Sequence, residues 1–244
     1  MALKRQPEIE WNWKQPISPY PQCPGANGCF LSPSGGGKSS ALVSMLLDPY
    51  KSMFAEIRVF SPSIHIDSVW DVVVKHAKTL DTDDCKSTFH DSFDEPALLA
   101  IIARQREKIR ELKLTKTKKP LPQVIIILDD LADTGVMHTA ISSLTSCYVR
   151  GRHLGLSTWL STQKLSTISP VCRSTFAFIL IWELRNRKEL FDGVLHELSN
   201  IHPIDTLFEM YKMGTEEPHS FLYVNLRKSP PEFWVRFEEQ LVVE

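Results

Sequence analysis

The chain of 244 residues is 43% hydrophobic and 23% charged, a composition typical of a soluble globular protein with a substantial core. Its formal net charge of −1 excludes an overall basic field for nucleic acid, so any basic surface must be local. The longest apolar runs, Val124–Leu128 and Phe176–Trp182, are far too short to span a bilayer, so we expect buried strands and no membrane insertion.

Cysteine usage and the first residues indicate an intracellular protein. The five cysteines are scattered and include no C-x-x-C pair, which favours reduced thiols and no zinc site. Met1–Gln15 is polar and charged, unlike a signal peptide. Residues 1–24 hold five of the sixteen prolines together with Trp11 and Trp13, and proline fixes φ, so this segment is predicted to be an extended arm. Its aromatic residues could dock on the core or on a neighbouring subunit, and both alternatives are open.

A glycine-rich loop follows the arm. The predicted strand Gly28–Ser32 leads into this loop, and the predicted helix Gly37–Leu47 follows it. In this strand–loop–helix order, backbone N–H groups and the positive end of the helix dipole hold polyphosphate. Lys38 would reach the β- and γ-phosphates of ATP, and the Ser39 hydroxyl would bind Mg²⁺. The predicted nucleotide-binding residues are Ser32, Pro33, Ser34, Gly35, Gly36, Gly37, Lys38, Ser39 and Ser40.

The loop departs from the phosphate-loop pattern G-x-x-x-x-G-K-[ST] at one position, because Ser32 stands where the pattern has glycine. This change affects the first tight turn, whereas Gly37, Lys38 and Ser39 retain the end of the loop that contacts phosphate. The alternative is a glycine-rich surface loop with an incidental lysine, which a second motif downstream disfavours.

The next predicted elements end in a basic segment. A strand is predicted at Glu56–Ser61, a helix at Ser68–Leu80, an acidic loop at Asp81–Asp94 and a long helix at Asp94–Leu112. Eight cations lie along the end of that helix and the loop after it: Arg104, Arg106, Lys108, Arg110, Lys113, Lys116, Lys118 and Lys119. Only Glu107 and Glu111 oppose them. The segment is either a solvated helix face or a contact for the phosphate backbone of nucleic acid, and both alternatives are open.

The second motif, Gln123–Asp130, is a β-branched run that ends in two carboxylates. Such a run predicts a central strand of a parallel sheet, buried on both faces, and ligands bind at the carboxyl ends of these strands. There Asp129 would hold the Mg²⁺ shell through water, and Asp130 would orient and deprotonate the attacking water. The alternative is a strand that simply stops at two polar residues.

The rest of the chain continues to alternate strands and helices. Helices are predicted at Thr139–Arg150, Arg187–Leu198 and Ile204–Met213, and strands at Leu154–Ser161, Phe176–Glu183, Phe221–Leu226 and Phe233–Glu238. Gln163 is either a sensor of the γ-phosphate or an ordinary polar residue at a strand end. This order favours an α/β fold with a mostly parallel, doubly wound sheet and a C-terminal strand pair, with residues 25–244 forming a P-loop ATPase domain.

Three stretches together resemble the genome-packaging ATPases of large double-stranded DNA viruses: the glycine loop, Ile125–Asp130, and Val149–Ser157 leading into Ser161–Gln163. The resemblance runs from about Cys29 to Trp182 and is to poxvirus-type packaging ATPases of the FtsK–HerA branch. It implies a RecA/FtsK-like P-loop core with a strand inserted between the two nucleotide motifs. It also implies a homo-oligomeric ring around double-stranded DNA.

The resemblance implies roles for individual residues. Lys38 and Ser39 would bind phosphate and Mg²⁺, Asp129 would bind Mg²⁺, Asp130 would be the catalytic base, and Gln163 the sensor. Asp130 departs from the glutamate of many relatives, and the shorter side chain must reach its water from slightly further away.

An arginine finger is also implied, inserted by one subunit into the site of its neighbour. It is assigned to Arg152, at the start of its strand, with Arg150 and Arg173 as alternatives. A packaging role further implies a capsid protein as partner. It places the protein inside an infected host cell, in the cytoplasm or a viral factory, or in the virion.

The sequence therefore predicts an ATP-driven double-stranded DNA translocase that packages a viral genome into a capsid. One alternative is a nucleotide-gated assembly scaffold with little turnover, to which Ser32 lends slight support. Another is a P-loop kinase. The pair Asp129 and Asp130 argues against a kinase, because a kinase needs no water-activating carboxylate beside the metal.

Overall fold

A nine-stranded sheet forms the centre of the computed structural model, which describes residues 14–115, 120–131 and 142–243. The strands are β1 Gly28–Leu31, β2 Glu56–Phe60, β3 Thr88–His90, β4 Val124–Asp129, β5 Leu156–Thr162, β6 Phe178–Trp182, β7 Phe221–Asn225, β8 Glu232–Val235 and β9 Glu239–Leu241. The helices are α1 Lys38–Leu47, α2 Val69–Leu80, α3 Glu95–Thr115, α4 Ser142–Leu154, α5 Pro170–Arg173, α6 His196–Leu198 and α7 Ile204–Thr215. A 3₁₀ turn spans Leu165–Thr167, and a π-helical segment, Glu189–Leu195, runs into α6.

The strand order is β3-β2-β4-β5-β1-β6-β7-β8-β9. The first six strands in this order are parallel, and β7, β8 and β9 are antiparallel to their neighbours. β5 lies between β1 and β4, the strands that precede the glycine loop and carry the carboxylates. These observations confirm the predicted α/β fold with a mostly parallel sheet and an inserted strand.

Apolar side chains pack on both faces of the sheet, because successive residues of a strand point to opposite faces. Ile126 and Leu128 pack on one face with residues of α3, α4 and α7, whereas Ile125 and Ile127 pack on the other with residues of α1 and α2. All four side chains are fully buried, as predicted for this strand. The parallel strands end at a common edge, here called the carboxyl edge, and begin at the opposite one, the amino edge.

The described part of the N-terminal arm, residues 14–24, is held on the chain's own core. The hydroxyl of Tyr223 donates to the carbonyl of Pro19 at 2.7 Å, and both groups are buried. A proline-rich backbone has few N–H donors, so its carbonyls make the contacts. Docking on the chain's own core is therefore what the structure shows for these residues, while Trp11 and Trp13 lie outside the described residues.

Two predictions of secondary structure are wrong, and a third is confirmed with one addition. The segment predicted as an acidic loop contains β3, whose three half-buried residues pair with β2 and are too few to show a periodicity. The predicted closing strand pair is confirmed as β7 and β8, and β9 pairs with β8 beyond it. Helix α4 continues to Leu154, so Arg152 lies in the last turn of a helix and not at the start of a strand. The predicted start of this helix, Thr139, lies outside the described residues.

The cysteines are buried and free. None of Cys23, Cys29, Cys85, Cys147 and Cys172 forms a disulfide. Burial raises the pKa of Cys23 and of Cys147 to about 12, so both thiols stay protonated at neutral pH. Within residues 14–115, 120–131 and 142–243, no helix is both long and apolar enough to cross a membrane.

Candidate functional site

The glycine loop between β1 and α1 forms the floor of the candidate site. Gly35 and Gly37 have φ values of 77° and 101°, in the left-handed region that favours glycine. Gly37 directly precedes α1, and the first N–H groups of a helix have no partner within that helix. The loop therefore has the geometry that binds anions at a helix N-terminus.

Ser32 is accommodated because residue 36 is a glycine. The Ser32 side chain is fully buried, and its hydroxyl donates to the carbonyl of Pro33 at 3.0 Å. A Cβ on Gly36 would lie 1.9 Å from the Ser32 Oγ, so the hydroxyl occupies space that only glycine leaves free. The departure from the phosphate-loop pattern is thus compensated within the loop itself.

Lys38 lies across the loop and faces the carboxylates. It is 7% exposed, and its Nζ donates to the carbonyls of Ser32 at 2.9 Å and Pro33 at 3.2 Å. Burial lowers the pKa of the Lys38 ammonium, while the charges of Asp130 and Asp129 act in the opposite direction. Its partners are neutral carbonyls, which the ammonium can exchange for the stronger charge-assisted contacts of a phosphate.

Asp129 is fixed by a hydroxyl from the neighbouring strand. Its carboxylate is on the last residue of β4, 3% exposed, and its Oδ2 accepts a 2.9 Å hydrogen bond from the hydroxyl of Ser61. Burial raises the pKa of the Asp129 carboxyl, and the hydroxyls of Ser161 and Ser61 act in the opposite direction. Sequence reasoning missed Ser61, whose only signal was its position at the end of a predicted strand.

Asp130 and Gln163 come together just beyond the sheet. Asp130 is exposed with a left-handed φ of 49°, and its N–H donates to the carbonyl of Ser161 at 3.2 Å. The amide of Gln163 donates to Asp130 Oδ1 at 3.4 Å, a long hydrogen bond. β4 and β5 are neighbours in the sheet, so two residues 33 positions apart meet at the carboxyl edge.

The glycine loop, Lys38 and the two carboxylates border a cavity of about 480 Å³ at the carboxyl edge, whereas Gln163 is not part of its lining. Its lining consists of Ser34, Gly35, Gly36, Gly37, Lys38, Ser39, Ser40, Pro62, Ser63, Asp67, Asp129 and Asp130. Seven of the nine predicted nucleotide-binding residues and both predicted carboxylates therefore share one cavity. Asp67, Pro62 and Ser63 join it from the segment after β2, which the sequence did not assign to the site.

The donor set of this cavity fits Mg²⁺. The hydroxyl of Ser39 and the carboxylate of Asp129 both line it, and magnesium prefers such hard oxygen ligands. Ser61 engages Oδ2 of Asp129 and so fixes the carboxylate that would hold the metal through water. A bound metal ion would neutralise charge on the phosphate oxygens.

The three candidate arginines for the finger all lie at the amino edge. Arg152 precedes β5, which is parallel to β1, whereas the glycine loop follows the end of β1, so the two lie at opposite edges. Arg152 is exposed, and its Cβ is 2.9 Å from the position that a Cβ on Gly25 would take. Arg150 is exposed in the same helix, and Arg173 forms a 3.0 Å ion pair with Glu197. The structure does not bring these arginines to the nucleotide site of their own chain.

Of the described cations in the basic segment, two contact other parts of the fold and three are exposed at the surface. Arg104 pairs with the buried carboxylate of Glu56, and Lys108 donates to the carbonyl of Asp84 at 3.4 Å. Arg110 pairs on the surface with Glu107 at 3.0 Å, whereas Arg106 and Lys113 are exposed. Lys116, Lys118 and Lys119 lie outside the described residues. The helix α3 runs from the carboxyl edge to the amino edge, so its basic end lies away from the glycine loop.

Several solved structures have a similar fold. The chain aligns with the genome packaging NTPase B204 from Sulfolobus turreted icosahedral virus 2, solved with AMP, at a TM-score of 0.56 and 12% identity, over 91% of this chain and 99% of that chain. It aligns with B204, the DNA-packaging ATPase from Sulfolobus turreted icosahedral virus, at a TM-score of 0.57 and 13% identity, over 85% and 96%. The pCW3 conjugation coupling protein TcpA, solved with ATPγS, aligns at a TM-score of 0.56 and 12% identity, over 82% and 57%.

These alignments confirm the resemblance to packaging ATPases at the level of the fold. No protein-family model matches the chain, and no curated protein matches it either. The chemistry of the site must therefore be argued from its own residues.

Proposed function

We propose that the chain is the ATP-hydrolysing subunit of a motor that packages double-stranded viral DNA. One observation carries the proposal: Lys38, Asp129 and Asp130 line a single cavity over a glycine loop, in a fold shared with packaging NTPases. The reaction would convert ATP and water to ADP and phosphate with Mg²⁺ as cofactor.

Phosphate binding would use the loop and its lysine. The amides from Gly35 to Ser40 would hold the phosphates, with the helix dipole of α1 behind them. Lys38 would move from the carbonyls of Ser32 and Pro33 to the β- and γ-phosphate oxygens. Ser39 and Asp129 would hold Mg²⁺, with Ser61 fixing the orientation of the Asp129 carboxylate.

Asp130 would activate the attacking water, and Gln163 lies beside it. As general base, Asp130 would accept a proton from the attacking water as the water oxygen bonds to the γ-phosphorus and the bond to ADP breaks. The amide of Gln163 already donates to Asp130 Oδ1, so the same amide can hold the base in place or contact the γ-phosphate. This contact supports a sensor role for Gln163, because a change at the phosphate would shift its partner.

Assembly into a ring would make hydrolysis depend on a neighbour. Arg152 is at the amino edge of its own chain, so it can serve catalysis only by entering the site of another subunit. A finger supplied in this way accelerates phosphoryl transfer by roughly 10³–10⁵-fold and makes hydrolysis depend on the relative position of the two subunits. The proposed partners are double-stranded DNA and a capsid protein, inside an infected host cell or in the virion.

Particular residues argue against the two alternatives, a P-loop kinase and a scaffold with little turnover. A P-loop kinase has no need of a water-activating carboxylate, yet Asp130 stands beside the metal-binding Asp129 and contacts Gln163. A scaffold with little turnover was favoured by Ser32, but Gly36 accommodates its hydroxyl. Neither alternative therefore has a structural observation in its favour.

The test is ATP hydrolysis by the purified chain with and without linear duplex DNA. We expect turnover that rises on DNA addition, and loss of both binding and turnover in Lys38→Ala, because the main phosphate contact is removed. Lys75→Ala is the matched control, since Lys75 is an exposed lysine of α2 outside the cavity. Wild-type protein that binds ATP but does not hydrolyse it under either condition would contradict the proposal.

A further inference from the structure

A second cavity adjoins the glycine loop on the side away from the carboxylates. It has a volume of about 520 Å³ and shares Ser34, Gly35 and Gly36 with the first cavity. Its other walls are the segment after β6 and the segment between α7 and β7. The two cavities therefore meet at the loop that is proposed to bind phosphate.

One wall of this second cavity contains His219. The indole N–H of Trp182, the last residue of β6, donates to the carbonyl of His219 at 3.0 Å and fixes the backbone there. His219 has a left-handed φ of 62°, which is uncommon for a residue with a side chain. Its Nδ1 lies 3.8 Å from the position that a Cβ on Gly37 would take, and the residue is exposed. An aromatic ring is thus held against the glycine loop while remaining accessible.

The direction of a bound nucleotide follows from the first cavity. Lys38, Asp129 and Asp130 mark where the γ-phosphate must lie, because metal binding and water attack occur there. The ribose and base must leave the loop on its other side. The second cavity begins on that side, at Ser34–Gly36, and its volume falls within the range of small-molecule sites.

We propose that the second cavity binds the ribose and base of the nucleotide, with the His219 ring as the contact for the base. This inference rests on the proposed function, because it assumes that a nucleotide occupies the first cavity. Base rings stack on aromatic side chains, and an exposed imidazole beside the loop provides one.

The polar groups of the cavity favour a base with an exocyclic amine. Glu183, Glu216 and Glu217 line it as hydrogen-bond acceptors, and Arg185 is the one charged donor in the lining. Carboxylates accept from amino groups and repel carbonyl oxygens. The chemistry therefore selects adenine over hypoxanthine, which carries a carbonyl at the same ring position.

The test separates base binding from phosphate binding. Binding of ATP, of ITP and of inorganic tripolyphosphate is measured by calorimetry for the wild-type chain and for His219→Asn, since asparagine tolerates a left-handed backbone but lacks the ring. We expect ATP affinity to fall about tenfold in the variant, while tripolyphosphate affinity stays unchanged. In the wild type, ATP should bind more tightly than ITP. His153→Asn, an exposed histidine at the amino edge, is the matched control.

The possible failures are distinguishable. Equal loss of ATP and tripolyphosphate binding in His219→Asn would mean that His219 acts through the loop, and an unchanged ATP affinity would mean that it makes no contact; either result overturns the inference. Wild-type protein that binds neither probe overturns the proposed function instead. As a second measurement, 8-azido-ATP should label peptides containing Trp182–Arg185 or Thr215–Ser220. Labelling confined to other segments would also overturn the inference.

Discussion

The two edges of the sheet hold their charged side chains in different ways. At the carboxyl edge, Lys38 and Asp129 are nearly buried, and each has hydrogen bonds to fixed neighbours. At the amino edge, Arg150 and Arg152 are exposed. Burying a charge is unfavourable, so the buried Lys38 and Asp129 need fixed partners, whereas the exposed arginines are available to a partner. For these four residues, burial and hydrogen bonding separate the two edges better than charge density does.

One buried charge at the amino edge shows what a structural ion pair looks like. Glu56, the first residue of β2, is fully buried and pairs with Arg58 and Arg104. One carboxylate oxygen accepts from Arg58 and the other from Arg104, so both oxygens are engaged within the fold. The triad fixes α3 against the sheet, so Arg104 belongs to the core of the fold and not to a binding surface.

The largest expected effect links the two edges through a neighbouring subunit. Arg152→Ala should bind ATP normally but hydrolyse it roughly 10³–10⁵-fold more slowly, because the proposed finger that stabilises the transition state is removed. Steady-state hydrolysis and ATP binding are measured on the assembled protein. Mixing this variant with Lys38→Ala subunits should restore partial activity, since each supplies what the other lacks. Mixed assemblies without recovery would move the finger to Arg150 or Arg173, and normal turnover in Arg150→Ala, Arg152→Ala and Arg173→Ala would confine catalysis to the carboxyl edge.

The next effect tests whether Asp130, at the carboxyl edge, is needed for turnover and not for ATP binding. Asp130→Asn should keep ATP binding and lose about 10²–10⁴-fold in turnover, because the asparagine cannot accept the proton of the attacking water. Single-turnover hydrolysis with matched binding measurements checks it. Asp67→Asn is the control, as Asp67 lines the same cavity but its Oδ1 accepts a 3.0 Å hydrogen bond from the N–H of Val69, the first residue of α2. Wild-type turnover in Asp130→Asn together with loss in Asp67→Asn would transfer the base to Asp67.

The buried strands were predictable because their signals are local. β4 reads as a continuous β-branched run, and both faces of it are indeed buried. The glycine loop was predictable because phosphate binding requires a glycine backbone at fixed spacing from a lysine. In each case a short stretch of sequence contains the whole physical requirement.

The partners of these residues were not predictable, because they depend on strand order. Ser61 reaches Asp129 across 68 residues only because β2 lies beside β4 in the sheet. His219 faces the loop only because β7 pairs with β6. Arg152 was misplaced for a different reason: the glycine at position 155, with φ 67°, ends the helix later than the apolar pattern suggested. The sequence shows where the glycine loop and the carboxylates lie along the chain, but not which distant residues position them.

A smaller effect tests the compensation inside the loop. Gly36→Ala should weaken ATP binding by at least about tenfold, because the new Cβ would lie 1.9 Å from the Ser32 Oγ and force the loop apart. The double variant Ser32→Gly/Gly36→Ala should recover most of the affinity, since the clashing hydroxyl is gone. Equal weakening in the single and double variants would show that the loop excludes a Cβ at this position for another reason.

The orientation of Asp129 gives an effect of about tenfold. Ser61→Ala removes a buried hydrogen bond to a carboxylate, so the Mg²⁺ concentration for half-maximal turnover should rise about tenfold. ATP binding measured without Mg²⁺ should not change, and Ser61→Thr should restore the wild-type metal dependence by supplying a hydroxyl. A loss of metal-free ATP binding in Ser61→Ala would indicate general damage to the fold and not a positioning role.

The smallest effect concerns DNA binding by the basic segment, whose last described lysine, Lys113, is exposed. Net charge is close to neutral, so binding to a phosphate backbone must come from local groups such as Lys113 and the lysines that follow it at 116, 118 and 119. Binding to DNA releases counterions, so replacing these four lysines by glutamine should reduce the slope of log affinity against log salt by about 0.9 for each lysine that neutralises a phosphate. The reduction should be independent of the DNA sequence, and ATP turnover without DNA should stay unchanged, because the basic end of α3 is remote from the glycine loop.

Lys75→Gln/Lys78→Gln on α2 is the control for loss of exposed positive charge. An unchanged slope in the folded four-lysine variant would make this segment a solvated helix face and direct the search to Arg185, Arg187 and Lys188, the cations that follow β6 at the carboxyl edge.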